Sequence, residues 1–253
     1  MQPMNEGAAL VIGGASGMGR LAALGIAQRG APVAIADLNA GAARQVAQEI
    51  RQAGGRAEAH ELDIASSAQV NAVVAAVQKS CGPIAYMANL AGVYDVRPIE
   101  AISDEDWARI FQIHAAGTFY AVRALLPVMM ERRSGAIVTT SSVQGVRGQP
   151  DGAHYAAAKG AIMSFTKSLA REKGHLNIRA NVVAPGPLDT PFFRRDRSIE
   201  SIEATIVRAK GANPLGRMGV AADAAPMIVF LLGPEAAHIT GQVIHINGGE
   251  VMP

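Results

Sequence analysis

"ALVIGGASGMG", residues 9–19, joins an apolar run to a glycine-rich turn, and its reading decides the fold. The run ALVIG (9–13) is apolar throughout, as a strand buried on both faces requires. Gly13, Gly17 and Gly19 then follow at the spacing G-x-x-x-G-x-G. Glycine permits a tight turn, lets backbone approach a pyrophosphate, and lets the next helix pack close to the strand. The start of that helix offers free N–H groups to phosphate. Helical spacing over 19–29 follows directly, so the turn lies in a first strand–helix unit. Ser16 and Met18, inside the turn, are cofactor-contact candidates with the glycines.

The same alternation continues outward. VAIAD (33–37), AEAHELD (57–63), IAYMAN (84–89), AIVTTS (136–141), IRANVVAP (178–185) and QVIHI (242–246) read as strands. Between them lie Ala-rich segments with helical spacing at 40–53, 66–80 and 155–173. "SSAQV" and "SDEDW" read as helix starts, each with a serine cap. Strands alternating with helices imply βαβ units and a parallel sheet covered on both faces. One domain spanning 1–253 is expected, interrupted only by a polar, basic, non-strand stretch at about 191–217.

Composition sets the class. The 253 residues are 49% hydrophobic and 17% charged, so a large core is available and disorder is not expected. The net charge of +2 gives no sign of a nucleic-acid or membrane-surface partner. The single cysteine, Cys81, excludes an internal disulfide and fits a reducing compartment. No signal peptide and no spanning helix are read, so a soluble cytoplasmic protein is expected, with no metal.

The second strand ends at Asp37, 24 residues after Gly13. A carboxylate there can accept hydrogen bonds from both hydroxyls of an adenosine ribose and would repel a 2′-phosphate. No Arg or Lys stands at 38 or 16 to rescue that phosphate, so the cofactor expected is NAD rather than NADP. The alternative is that Asp37 caps the following helix. Asp63, after the third strand, is a candidate for the adenine amino group or a plain turn residue.

"YAAAK" (155–159) sets a phenol and an ammonium four residues apart with alanines between. Both fall on one helical face. A free tyrosine ionises near pH 10, too high for a good base. A neighbouring ammonium favours the phenolate, which suggests Tyr155 as a general base helped by Lys159.

These pieces together resemble the short-chain dehydrogenase/reductase family over nearly the whole chain. They are GGASGMG, Asp37, LDI (62–64), NLAG (89–92), TTSSVQG (139–145), YAAAK, APGPLDT (184–190) and ITGQVIHINGG (239–249). The chain is most similar to 3-oxoacyl-acyl-carrier-protein reductase-type members. The resemblance implies a Rossmann-type, doubly wound α/β fold with about seven parallel strands and helices on both faces. It also implies a homotetramer, or a homodimer, and a small-molecule alcohol or ketone substrate. The catalytic serine, tyrosine and lysine of the family fall on Ser142, Tyr155 and Lys159. The cofactor would lie along Asp37, Leu38, Asp63 and Ile64, then Asn89, Ala91 and Gly92. Its carboxamide would lie near Pro185, Gly186, Leu188 and Thr190.

Three residues depart from the family pattern. His114 stands where an asparagine helps hold a water of the proton relay, so either its imidazole joins the relay or its backbone carbonyl suffices. Ile12 and Leu90 replace polar tethers near the turn. The segment PFFRRDRSIESIEATIVRAK matches the variable substrate lid. There Phe192 and Phe193 could wall a pocket, and Arg194, Arg195 or Arg197 could meet an anion. Arg147, Tyr94 and Gln149 are further pocket candidates. The expected function is NAD-dependent oxidation of a cyclic or hydrophobic secondary alcohol, or the reverse reduction. The alternatives are a 3-oxoacyl thioester reductase, against which Asp37 counts, and a catalytically weak NAD-binding sensor or scaffold.

Overall fold

The computed structural model describes residues 2–195 and 197–253. Among the described residues nine strands form: β1 Ala8–Ile12, β2 Val33–Asp37, β3 Ala57–Glu61, β4 Ile84–Asn89, β5 Gly135–Thr140, β6 Ile178–Pro185, β7 Leu188–Asp189, β8 Gly219–Val220 and β9 Val243–Ile246. The α-helices are α1 Gly17–Ala27, α2 Ala40–Gln52, α3 Ser67–Cys81, α4 Asp104–Phe111, α5 Gly117–Arg132, α6 Gln144–Arg147, α7 Ala153–Lys173, α8 Pro191–Arg194, α9 Ile199–Ala212 and α10 Ala221–Leu232. The strands expected from apolar runs all form, with ends moved by a residue or two.

Seven strands make one parallel sheet in the order β3-β2-β1-β4-β5-β6-β9. Alternation along β1 shows why it is apolar throughout. Ala9 and Val11 face a cluster made with α1, α2 and α10, including Ile26, Val46, Ile50 and Ile228. Ala8, Leu10 and Ile12 face a second cluster made with α3, α5 and α7, including Val73, Val77, Leu125 and Leu169. Both faces are therefore dry, whereas the edge strands β3 and β9 are only half-buried.

The capping serines act as the sequence suggests. Ser66 and Ser103 accept the backbone N–H groups of Gln69 and Asp106 and start α3 and α4. Between α4 and α5 the helix widens to a π turn over Gln112–Ala116, a device concentrated at functional sites. By length and composition the continuous run Asp104–Arg132 would pass for a bilayer-spanning helix, contrary to the sequence expectation. Here Ala121, Val122, Leu125 and Met129 pack it onto α3.

The sheet order reverses between β2 and β4 on either side of β1, which opens a crevice at the carboxyl ends of the strands. The chain leaving β4 is tied to β1 there, Leu90 donating to the Ile12 carbonyl at 2.8 Å. The stretch 191–217 forms α8 and α9 over that crevice, with its own small core of Phe193, Ile202, Ala209 and Met218.

Candidate active site

A cavity of about 680 Å³ lies in the crevice. Gly13, Ser16, Gly17, Met18 and Gly19 form one wall, Asp37, Leu38, Asp63 and Ile64 the next. Ala91, Gly92, Ser142, Tyr155, Lys159, Pro185, Gly186, Leu188 and Thr190 complete it with the lid residues Phe192 and Phe193.

The glycine turn is made by backbone. Gly13 holds φ +75°, and a Cβ on Gly19 would run into the Gly13 carbonyl oxygen. Ser16 precedes α1 without capping it through its side chain, so the first N–H groups of the helix start beside the cavity. That arrangement fits a pyrophosphate.

Asp37 does not cap α2; Asn39 does, accepting from Ala42 N. The Asp37 carboxylate accepts from Ala15 N at 3.1 Å and from Asn39 N at 2.9 Å, so it braces the glycine turn. Two carboxylate oxygens offer about four acceptor sites, which leaves capacity for a ribose. The neighbouring lining residues are Leu38, Asn39, Ala40, Glu61, Leu62 and Asp63, with no cation among them. These residues fit the ribose of a dinucleotide. Asp63 accepts from Ala65 N at 2.9 Å and is a turn residue at the cavity edge.

Two expected site residues stand behind the wall rather than in it. Asn89 is buried, donates to Thr118 Oγ1 at 3.0 Å and accepts from Ala91 N at 3.3 Å. It shapes the turn that lines the cavity. His114 is 2% exposed within the π turn. Its ring packs edge-on to Tyr155, centroids 5.4 Å apart, where a side chain on Gly92 would otherwise fall. Nε2 lies 2.9 Å from the Val93 carbonyl, which can only accept. The Val93 N–H lies 3.4 Å from the same nitrogen, a longer contact, so the shorter one favours a proton on Nε2. Burial, then the charge of Lys159, push the His114 pKa well below 6.5. Of the two readings of this position, a neutral ring that leaves the relay to the backbone carbonyl is the one this environment favours. The backbone oxygen of His114 accepts from Thr118 Oγ1 at 2.6 Å.

Tyr155 and Lys159 share one face of α7, as their spacing implies. The Lys159 ammonium sits 5.6 Å from the Tyr155 ring centroid and donates to the Thr140 carbonyl at 2.9 Å. Ser141 in turn donates to the Lys159 carbonyl at 2.7 Å, which locks α7 onto the end of β5. Burial pushes Lys159 down to about 7. Burial also raises Tyr155 well above its usual range; the field of Tyr94 adds to this, and a hydrogen bond with Ser142 opposes it. In the protein alone, stripping water from the phenolate keeps the phenol protonated; the expected easing toward ionisation rests on the Lys159 ammonium together with a positively charged nicotinamide. The phenol is a proton donor in this form.

Gln144 was not singled out by sequence, yet it lines the cavity and its Oε1 accepts from Ser142. Its signal was a polar side chain two residues after the serine. The Thr140 carbonyl, being backbone, had none. Arg147 does not reach the cavity; it pairs with Glu250 at 2.8 Å. Arg194 pairs with Asp189 at 2.6 Å. Gln149 supports the wall from outside, donating to the Tyr94 hydroxyl at 2.6 Å. Ile12 and Leu90 are filled into the two cores, where burying one such side chain contributes about 1.5–3 kcal/mol.

Comparison with known proteins agrees with this geometry. The family described as enoyl-(acyl carrier protein) reductase matches residues 13–250. The 3-oxoacyl-[acyl-carrier-protein] reductase of Thermotoga maritima is 33% identical over 96% of this chain and 97% of its own length. The cyclopentanol dehydrogenase of Comamonas sp. is 32% identical over 98% of each chain. The crystal structure of levodione reductase superposes with a TM-score of 0.90 at 29% identity, covering 96% of each chain.

Proposed function

The chain belongs to the short-chain dehydrogenase/reductase family, and from that premise we propose an NAD-dependent oxidoreductase that interconverts a secondary alcohol and its ketone, with Tyr155 moving the hydroxyl proton. One observation carries the reading. Ser142, Tyr155 and Lys159 line the same cavity as the glycine turn and Asp37. The relative that acts on cyclopentanol supports a cyclic or hydrophobic substrate.

When bound, the nicotinamide accepts or supplies the hydride. The protein supplies the proton path. In reduction the buried Tyr155 phenol donates its proton to the carbonyl oxygen, and Ser142 holds that oxygen by a hydrogen bond. Lys159, poised at about 7, is the stronger acid of the pair and can return a proton to the Tyr155 phenolate downhill. Thr140 fixes the position of the ammonium. His114 keeps the Tyr155 ring in place from behind and acts as a positioning residue.

The experiment is turnover of cyclopentanol and cyclohexanol with NAD and with NADP, followed as reduced nicotinamide. NAD should support turnover at the lower concentration, and Asp37→Ala should narrow the difference. Equal or better use of NADP would overturn the cofactor assignment. Failure of every alcohol and ketone with both cofactors would overturn the reaction.

A further inference from the structure

The cavity is charged at both ends, with opposite signs. Asp37, Glu61 and Asp63 lie at the β2–β3 end. At the lid end Arg195, Arg197 and Arg208 line it, with no carboxylate among the described lid residues that face the cavity. Neighbouring arginines are paired: Arg194 with Asp189, Arg147 with Glu250, Arg217 with Asp223. Arg195, Arg197 and Arg208 have no acidic partner among the described residues.

Arg197 is the best placed of the three. Its guanidinium sits 4.8 Å from the Tyr94 ring centroid and 4.5 Å from that of Phe193. Tyr94 in turn packs edge-on to Tyr155, centroids 5.1 Å apart. The guanidinium is thus held by two rings, one of which packs on the proton-transfer group. Ring contacts use the faces of a guanidinium and leave its in-plane N–H donors unspent. A fork of donors held flat by aromatic rings is complementary to a carboxylate.

We propose that Arg197 binds an oxyanion on the substrate, so that the enzyme takes hydroxy or keto compounds bearing a carboxylate or similar anionic group, with Arg195 and Arg208 adding attraction at the rim. This rests on the reading of Tyr155 as the proton-transfer group. The other source of an oxyanion is the cofactor's own pyrophosphate, and the test separates the two.

Cyclohexanecarboxylate and its neutral isostere cyclohexanecarboxamide are titrated into the protein saturated with NADH, for wild type and R197M. The wild type should bind the carboxylate about 10–100-fold more tightly than the amide. R197M should lose that preference while its NADH affinity stays within about twofold of wild type. A wild type without the preference, or an R197M that keeps it, overturns the proposal. An R197M that loses NADH affinity as much as carboxylate affinity assigns Arg197 to the cofactor and also overturns it. If R197M melts at a lower temperature, R197K carries the test: it keeps the charge but not the fork, and an undiminished preference overturns the proposal. Failure of NADH to bind would sink the cofactor reading instead, and the same pair of probes on the cofactor-free protein would still decide the role of Arg197.

Discussion

The two ends of the cavity are built from different materials. At the glycine turn the surfaces are main chain: N–H groups at the start of α1, a φ of +75° at Gly13, and a contact at Gly19 that admits no side chain. At the lid they are side chains: Phe192, Phe193 and Arg197 on short elements over the crevice. Backbone geometry dictates residue identity, because only glycine fits. A lid wall accepts many side chains that fill the same space. The first end should therefore tolerate almost no change, and the second should trade one substrate for another.

The largest expected effect lies between the two ends. Tyr155→Phe keeps the ring against His114 and Tyr94 but removes the proton. Turnover should fall about 10²–10⁴-fold. Cofactor affinity, measured by titration, should hold. A near wild-type rate would put proton transfer elsewhere and would break the comparison at its centre.

Next comes the contrast itself. Gly19→Ala forces backbone against backbone, an overpacking cost of about 1–3 kcal/mol, which corresponds to roughly 10–100-fold in cofactor affinity. Phe192→Ala, 38% exposed on the lid, should leave cofactor affinity unchanged and alter only the ranking of substrates. Isothermal titration of both variants checks it. Equal losses at the two ends would mean that the lid is as rigid as the turn.

How much could be read from the chain follows the same division. β1 and the turn were legible because burial on both faces and positive φ leave marks in residue type. The YAAAK spacing correctly placed Tyr155 and Lys159 on one face of α7. It could not reveal that both are buried, which opposes the charged form of each. Asn89 was read as a cofactor contact and His114 as a candidate for the proton relay; spacing gives a position along the chain but not which side of a wall it occupies. Among the lid arginines, Arg194 and Arg197 look alike in sequence. Only the fold sets Asp189 beside one and two aromatic rings beside the other.

Lys159 gives a smaller, pH-dependent effect. The folded protein holds it at about 7, while an unfolded chain keeps its ammonium proton to about 10.4. Between these values the unfolded state binds more protons, so stability of the cofactor-free protein rises with pH across that window. Lys159→Met removes the penalty but strands the Thr140 carbonyl. The net gain at pH 7 should be on the order of 1–3 kcal/mol, shrinking toward pH 10. Thermal melts of both proteins at the two pH values check the sign. A constant difference would mean that Lys159 is fully charged in the fold.

The smallest effect is expected at His114, the most distinctive departure from the family pattern. Its ring is buried with Nε2 against the backbone of Val93, and burial and the charge of Lys159 hold it neutral. A relay through the ring passes by way of an imidazolium, which that environment opposes. What remains available is its backbone oxygen, fixed by the π turn and by Thr118, which any side chain at 114 would present. His114→Asn should therefore leave the pH–rate profile with saturating NAD superimposable on that of wild type through the ordinary histidine range, because burial holds the imidazole pKa well below its usual 6.5. The loss should appear instead as a modest fall in Tm, on the order of 1 kcal/mol, from the space left beside Tyr155 and Gly92. An acid limb near pH 6–7 in wild type that disappears in the variant would show the imidazole titrating within the working site and would restore it to the proton path.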